Sequence, residues 1–270
     1  MGADRLGVIA GSGRFPVIFV SEAKKKGCVP IVFAVRGITS EEIGEVADRV
    51  HWIDVEKFRV QKFIFLLIAE RIKKMAMVGK IDKSMVFRRL DQNKDVEEVL
   101  KGTRDNMDYT ILEEVTNRLA KIGITVISGL DYLSDLLPQK GVITERQPTE
   151  EEMRDVFFGM DIARELAGLD VGQTITVKNK AIVTVEAMEG TDLTIRRAGD
   201  LLGSDFVVVK LARPKQDMRW DVPLIGPETI RTMSGCQGRV LAIESGRMFL
   251  SEKEKTVREA NINNISIVVV

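Results

Sequence analysis

The apolar residues of this chain gather in short runs separated by stretches of helical period. Residues 6–11 (LGVIAG) form an apolar run closed by glycine, which predicts a buried strand. After Ser12-Gly13-Arg14-Phe15-Pro16, an amphipathic stretch to Lys26 predicts a helix stopped at Gly27, and residues 29–35 (VPIVFAV) predict a second buried strand. Strand, glycine turn, helix and strand in that order make a βαβ unit, whose two strands run parallel. The pattern continues with a strand at 51–55, a helix at 56–74, a strand at 75–78, helices at 95–101 and 108–122, and a strand at 124–128. Such alternation predicts a Rossmann-like, mostly parallel sheet over residues 1–129.

The period is lost over residues 130–148, which contain Pro138, Gly141 and Pro148 and read as a linker. Thr149 and Glu152 then form a capping-box pattern that opens a helix to about Leu166. Alternating positions at 174–177 and 181–187 flank Lys178-Asn179-Lys180, as in a hairpin. Glu189-Gly190-Thr191-Asp192 opens a helix to Leu202, and a strand at 206–211, a helix at 227–233, strands at 239–243 and 248–250, a helix at 252–260 and a strand at 265–270 follow. The fold class is therefore α/β in two lobes, the second, over 149–270, being a smaller mixed sheet.

Composition removes several classes of function. With 44% hydrophobic and 30% charged residues in 270, the chain can build ample core. Its 40 basic and 40 acidic residues cancel, which argues against nucleic acid as a partner. Two cysteines, Cys28 and Cys236, and a single histidine, His51, cannot supply a disulfide framework or a multi-histidine metal site. A Ser-His-Asp triad is disfavoured too, because His51 opens a strand with no nucleophile motif nearby. The longest apolar run, Phe63 to Ala69, is far shorter than the ~18 residues a membrane span needs. The start of the chain has no signal-peptide core, so a cytoplasmic protein is expected, with peripheral membrane contact left open.

Four segments carry candidate chemistry. Gly11-Ser12-Gly13 lies between a strand and a helix, where backbone N–H groups and the helix dipole suit an anion. Pro16 replaces the last glycine of the dinucleotide fingerprint, so a phosphate cradle and a plain tight turn fit equally. Gly79-Lys80-Ile81-Asp82 exits the carboxyl end of a strand, where open α/β sheets bind ligands, although a polar strand exit explains it as well. Glu189-Gly190-Thr191-Asp192 brings two acids and a hydroxyl to a helix start, and Thr191 or Asp192 would also serve as an N-cap. The last candidate is Lys210 with the segment 216–229. There Asp217, Arg219 and Asp221 alternate, so an extended chain would point all three one way. Carboxylates suit a hard divalent cation and Arg or Lys suits phosphate, although a solvated ion-paired loop would look similar.

Taken in order, LGVIAGSGRFP, GKIDKSMVFRRL, LPQKGVITERQPTEEE, LDVGQTITV, VEAMEGTD, VKLARPKQDMRWDVPLIGPETI and GRVLAIESG resemble a known family. It is the two-domain UDP-2,3-diacylglucosamine pyrophosphatases of lipid A biosynthesis, unrelated to calcineurin-like phosphoesterases. Ser12 and Phe15 stand where that family often has glycine and leucine. The resemblance implies metal-dependent hydrolysis of UDP-2,3-diacylglucosamine to UMP and 2,3-diacylglucosamine 1-phosphate, with Mg2+ or another divalent cation such as Mn2+. It makes Asp221 the essential carboxylate, with Asp217 and Arg219 in the same motif. It implies Asp221, Glu189 and Asp192 as metal ligands. Gly11, Ser12, Gly13, Gly79, Lys80, Asp82, Thr191 and Lys210 become the substrate-binding set. It also implies a lipid-linked nucleotide-sugar substrate, a homodimer, and room for contact with the inner membrane surface.

Overall fold

The computed structural model describes residues 4–79, 108–214, 217–219 and 222–270. They fall into two compact units. The first holds the chain up to Ser134 together with Met218 and Arg219, and the second runs from Asp135 to Asp217 and from Val222 to Val270.

In the first unit, β1 (Arg5–Ala10), β2 (Val29–Val35), β3 (Arg49–Ile53), β4 (Lys74–Val78) and β5 (Thr125–Val126) form one sheet in the order β3-β2-β1-β4-β5. Every pairing in it is parallel, as the βαβ reading requires. The crossovers carry α1 (Phe15–Lys25), α2 (Ile43–Val46), α3 (Val60–Ala69) and α4 (Asp108–Lys121). β1 and β2 read as unbroken apolar runs because a parallel sheet is covered on both faces. Val8, Val32, Phe33 and Ala34 are fully buried accordingly. The order reverses at β1, so the crevice at the carboxyl ends of β1 and β4 is the switch point where such sheets take ligands. The helix expected at 95–101 lies outside the described residues.

At the opposite end of this sheet one carboxylate ties several elements together. Glu70, which caps α3, is buried. It accepts hydrogen bonds from Arg49 Nη1 at 2.7 Å and Arg5 Nη1 at 3.2 Å, and its Oε1 lies 2.8 Å from His51 Nε2. Burial pushes its carboxyl up, but the hydrogen bonds and positive charge of Arg49 and His51 outweigh it and hold the group below its ordinary value. His51, stacked on Phe33, is thus a structural histidine at the strand edge.

Residues 130–148 contain α5 (Leu130–Leu133), a 3-10 turn (Ser134–Leu136) and β6 (Gly141–Val142). In the second unit, β6 joins β7 (Thr174–Lys178), β8 (Ala181–Val185), β9 (Val207–Lys210), β11 (Val240–Ile243) and β13 (Ser266–Val269) in the order β6-β13-β11-β9-β7-β8. β9, β11 and β13 are parallel, while β7, β8 and β6 run antiparallel to their neighbours. The carboxyl-terminal strand, β13, is paired on both sides within its own sheet. β10 (Leu224–Ile225) pairs separately with β12 (Phe249–Leu250).

α6 (Glu150–Gly168) begins with the expected capping box: Glu152 N donates to Thr149 Oγ1 at 3.2 Å, and Thr149 N donates to Glu152 Oε2 at 2.8 Å. It packs with buried Val156, Met160 and Ala163 on β7 and β9. Full burial of each large aliphatic side chain there contributes about 1.5–3 kcal/mol. The β7–β8 turn places Asn179 and Lys180 at φ of 53° and 56°, the left-handed pair that a two-residue hairpin requires. Buried Asp155 fixes the turn by accepting from both backbone N–H groups, at 2.8 and 2.7 Å. α7 (Thr191–Leu202), α8 (Pro227–Gly235) and α9 (Lys253–Ile262) complete the unit.

Candidate functional site

The glycine turn after β1 sits where the sequence places it. Gly11 N donates to Val78 O at 2.7 Å, which draws the turn onto the end of β4. Gly79, at φ +88°, lies directly against it. A Cβ on Gly79 would stand 2.7 Å from Pro16 Cγ and 2.9 Å from Ser12 O, so both conformation and space demand glycine. α1 starts with Arg14 at its N-cap and no side-chain cap, and Pro16 occupies its first turn. Gly11, Ser12, Gly13 and Gly79 are therefore gathered at the switch point by backbone alone. Lys80 and Asp82 lie outside the described residues.

The second unit builds a side-chain network at the carboxyl end of β9. Lys210 is the last residue of β9, and its register partner on antiparallel β7 is Thr174. Thr191 opens α7 beside them. Lys210 Nζ donates to Thr191 Oγ1 at 2.8 Å, and Thr191 Oγ1 donates to Glu186 Oε1 at 3.1 Å. Thr174 Oγ1 lies 3.1 Å from Thr191 Oγ1. A hydroxyl has one proton and two lone pairs. With its proton directed to Glu186, Thr191 accepts from both Lys210 and Thr174. Gln173 N adds a hydrogen bond to Glu186 Oε2 at 3.4 Å. Lys210 and Glu186 are each only 7% exposed, so charge of both signs is held out of water around a single hydroxyl.

The helix start differs from the N-cap expected of Thr191 or Asp192. The N-cap is Gly190, at φ +84°, and no side chain caps the helix. A glycine adopts that conformation freely, which leaves Thr191 for the network instead. Asp192 Oδ1 is buried and has no hydrogen-bond partner among the described residues. An orphaned carboxylate oxygen is costly unless something answers it, and a hard cation does so. No group of three or more His, Cys, Asp and Glu side chains forms a metal cage among the described residues. Magnesium needs none, since one or two carboxylates with phosphate oxygens and water suffice. Asp192 fits that role.

Glu189 is engaged elsewhere. Ala187 N donates to its Oε2 at 3.0 Å, Thr194 Oγ1 donates to its Oε1 at 3.4 Å, and Arg197 forms an ion pair with Oε1. Its own backbone N–H, then Ala187 N–H, Arg197 and Thr194 hold its carboxyl below the ordinary value against the opposing push of burial. As a metal ligand it would first have to release Arg197.

Where the segment after β9 is described, at residues 217–219, it turns instead of running as the extended strand that alternation suggests. Met218 and Arg219 lie in a turn, so Asp217 and Arg219 are not alternate positions of an extended strand. The Met218 carbonyl accepts from Ser128 Oγ at 3.1 Å, whereas Asp217 is grouped with the second unit. Asp221 lies outside the described residues. Glu186, Thr174 and Gln173 were not singled out by the sequence. The signal available was Glu186 standing two residues beyond Thr184, continuing its alternation just past the end of β8.

Comparison with known proteins bears on both units. The LpxI N-terminal domain model matches residues 5–136, and the LpxI C-terminal domain model matches 139–268. The chain is 27% identical to the UDP-2,3-diacylglucosamine pyrophosphatase LpxI of Caulobacter vibrioides, over 95% of this chain and 94% of that protein. Among solved structures, the biotin carboxylase subunit of pyruvate carboxylase aligns over 45% of this chain and 33% of its own, at 14% identity and a TM-score of 0.24. Matched along nearly its whole length by the paired amino- and carboxyl-terminal models, the chain belongs to the LpxI family.

Proposed function

We propose that this protein hydrolyses the pyrophosphate of UDP-2,3-diacylglucosamine, giving UMP and 2,3-diacylglucosamine 1-phosphate in lipid A biosynthesis. The observation that carries the reading is the match of both family domains, together with a relative of that name aligned over 95% of the chain. The chemistry of the second unit supports it. A pyrophosphate oxygen needs its charge neutralised before water can attack, and a buried ammonium provides that without reorganisation. Lys210, steadied by Thr191 and Glu186, is such a group. Arg219 would add a second positive charge, and Asp217 would orient it. The Gly11-Ser12-Gly13 turn with Gly79, Lys80 and Asp82 would take the nucleotide end of the substrate through backbone N–H groups and polar side chains.

Metal dependence is part of the proposal. Asp192, with its orphaned oxygen, and Asp221 would hold magnesium or manganese, with Glu189 joining if Arg197 withdraws. A bound cation would supply charge neutralisation to the pyrophosphate. Asp221 would also hold the attacking water, since the one histidine is committed to Glu70. Among the described residues no helix is long and apolar enough to cross a membrane. A homodimer working in the cytoplasm and reaching its lipid substrate at the membrane surface completes the proposal.

The test is UMP release from UDP-2,3-diacylglucosamine by wild type and Asp221→Ala, each with magnesium and with EDTA. Release that needs the metal and is lost in the folded variant is expected. No release by folded wild type with any divalent cation overturns the reading.

A further inference from the structure

Helix α3 (VQKFIFLLIA) is apolar on nearly every side, yet only one side faces the core. Leu67 is fully buried against Phe33 and Met75, with Phe63 and Leu66 packed beside it. The opposite face presents Phe65, 70% exposed, and Ile68, 64% exposed, one helical turn apart. A helix that is hydrophobic all round calls for cover on both faces. Its surroundings are basic. Lys57, Arg59, Lys62, Arg71 and Lys73 are all exposed on or flanking the helix, against one exposed acid in the same stretch, Glu56, while Glu70 at the helix end is turned inward and neutralised by Arg49 and Arg5. Lys57, Lys62, Arg71 and Lys73 have no ion-pair partner among the described residues.

An exposed aromatic and an exposed branched aliphatic side chain on a helix flanked in sequence by an excess of exposed cations match the chemistry of an anionic bilayer surface. The apolar pair enters the acyl boundary while the long basic stems lie along it and keep their heads at the phosphates. A second copy of this chain would instead set the same cations against each other. We propose that the exposed face of α3 docks the protein on anionic lipid bilayers. The proposal stands on this helix alone and does not require the hydrolase reading.

The test is co-sedimentation of the full chain with vesicles of phosphatidylglycerol mixed into phosphatidylcholine, beside vesicles of pure phosphatidylcholine. Wild type should bind the anionic vesicles, bind the neutral ones weakly, and lose binding as salt rises. Lys62→Glu should weaken binding by at least about fivefold, the effect of one basic residue near such a surface. Phe65→Ser with Ile68→Ser should weaken it roughly tenfold or more through lost apolar burial. Both positions are exposed, so thermal melting should show the fold retained. Equal binding by wild type and the double variant overturns the proposal, as does the absence of binding to anionic vesicles. A double variant that changes oligomeric state and leaves vesicle binding intact overturns it as well, assigning the face to a second copy. UMP release from detergent-dispersed substrate should be unchanged in the double variant. Failure of the hydrolase reading would appear there in wild type and leave vesicle binding untouched.

Discussion

Two turns in this protein share one local design and differ in what surrounds them. Gly11-Ser12-Gly13 before α1 and Glu189-Gly190 before α7 each deliver the chain into a helix that has no side-chain cap. In the first unit the turn is lined by backbone, with Gly79 and Pro16 filling the space. The buried charge of that unit lies at the far end of the sheet, where Glu70 gathers Arg5, Arg49 and His51. In the second unit buried Lys210 and Glu186 lie at the turn itself, because β7 and β9 bring Thr174 and Lys210 to meet Thr191. The first arrangement suits holding an anion through N–H groups, and the second suits altering one. Chemistry here is decided by what neighbouring strands carry to a glycine turn, more than by the turn.

The comparison can be broken most sharply at Lys210. Lys210→Met should lower kcat for UMP release by about 10²–10³, the usual cost of losing one preorganised charge stabiliser. Next is Thr191→Val, which removes the hydroxyl joining Lys210 to Glu186. It should cost about 1–3 kcal/mol in denaturant unfolding by leaving buried partners unmade, while Thr191→Ser retains most of both stability and rate. In the first unit Gly79→Ala should cost about 1–3 kcal/mol through its positive φ and the approach of Pro16 and Ser12. It should raise KM more than it lowers kcat, the reverse of Lys210→Met.

The smallest effect is at Glu70, away from both turns. Its folded carboxyl titrates below the ordinary value of about 4.3, so its stabilisation is present above that pH and is lost as pH falls through the folded value. Glu70→Gln should therefore be less stable than wild type near neutrality, by about 1–2 kcal/mol, and should converge with it in acid. Thermal melts across pH check this, and kcat should not follow.

Much of this was legible in the sequence where long apolar runs or strong caps exist. β1 and β4 are apolar after their first residue, β2 throughout, and Thr149 with Glu152 marks the start of α6. β10 was not legible, because two residues carry no period and its pairing with β12 is set by tertiary structure. Glu186 was hidden for a different reason. Alternation running through β8 and one residue beyond it marks Thr184 and Glu186 as the polar, outward side, yet they are 3% and 7% exposed. α7 covers that face, and Thr184 is satisfied there by Thr176 Oγ1 at 2.7 Å and by the Thr194 carbonyl at 3.1 Å. A buried polar face reads as a solvated one when only hydrophobicity is counted. The alternation of Asp217 and Arg219 misled in the opposite sense, since the chain turns at Met218.

The central claim is cleavage of a pyrophosphate, and the most direct measurement is the identity of the two products formed by the full chain from UDP-2,3-diacylglucosamine with magnesium. UMP and 2,3-diacylglucosamine 1-phosphate in equal amounts are the expected result. Release of UDP, which would mean that the sugar–phosphate bond is cut, or no turnover by folded protein, would contradict it.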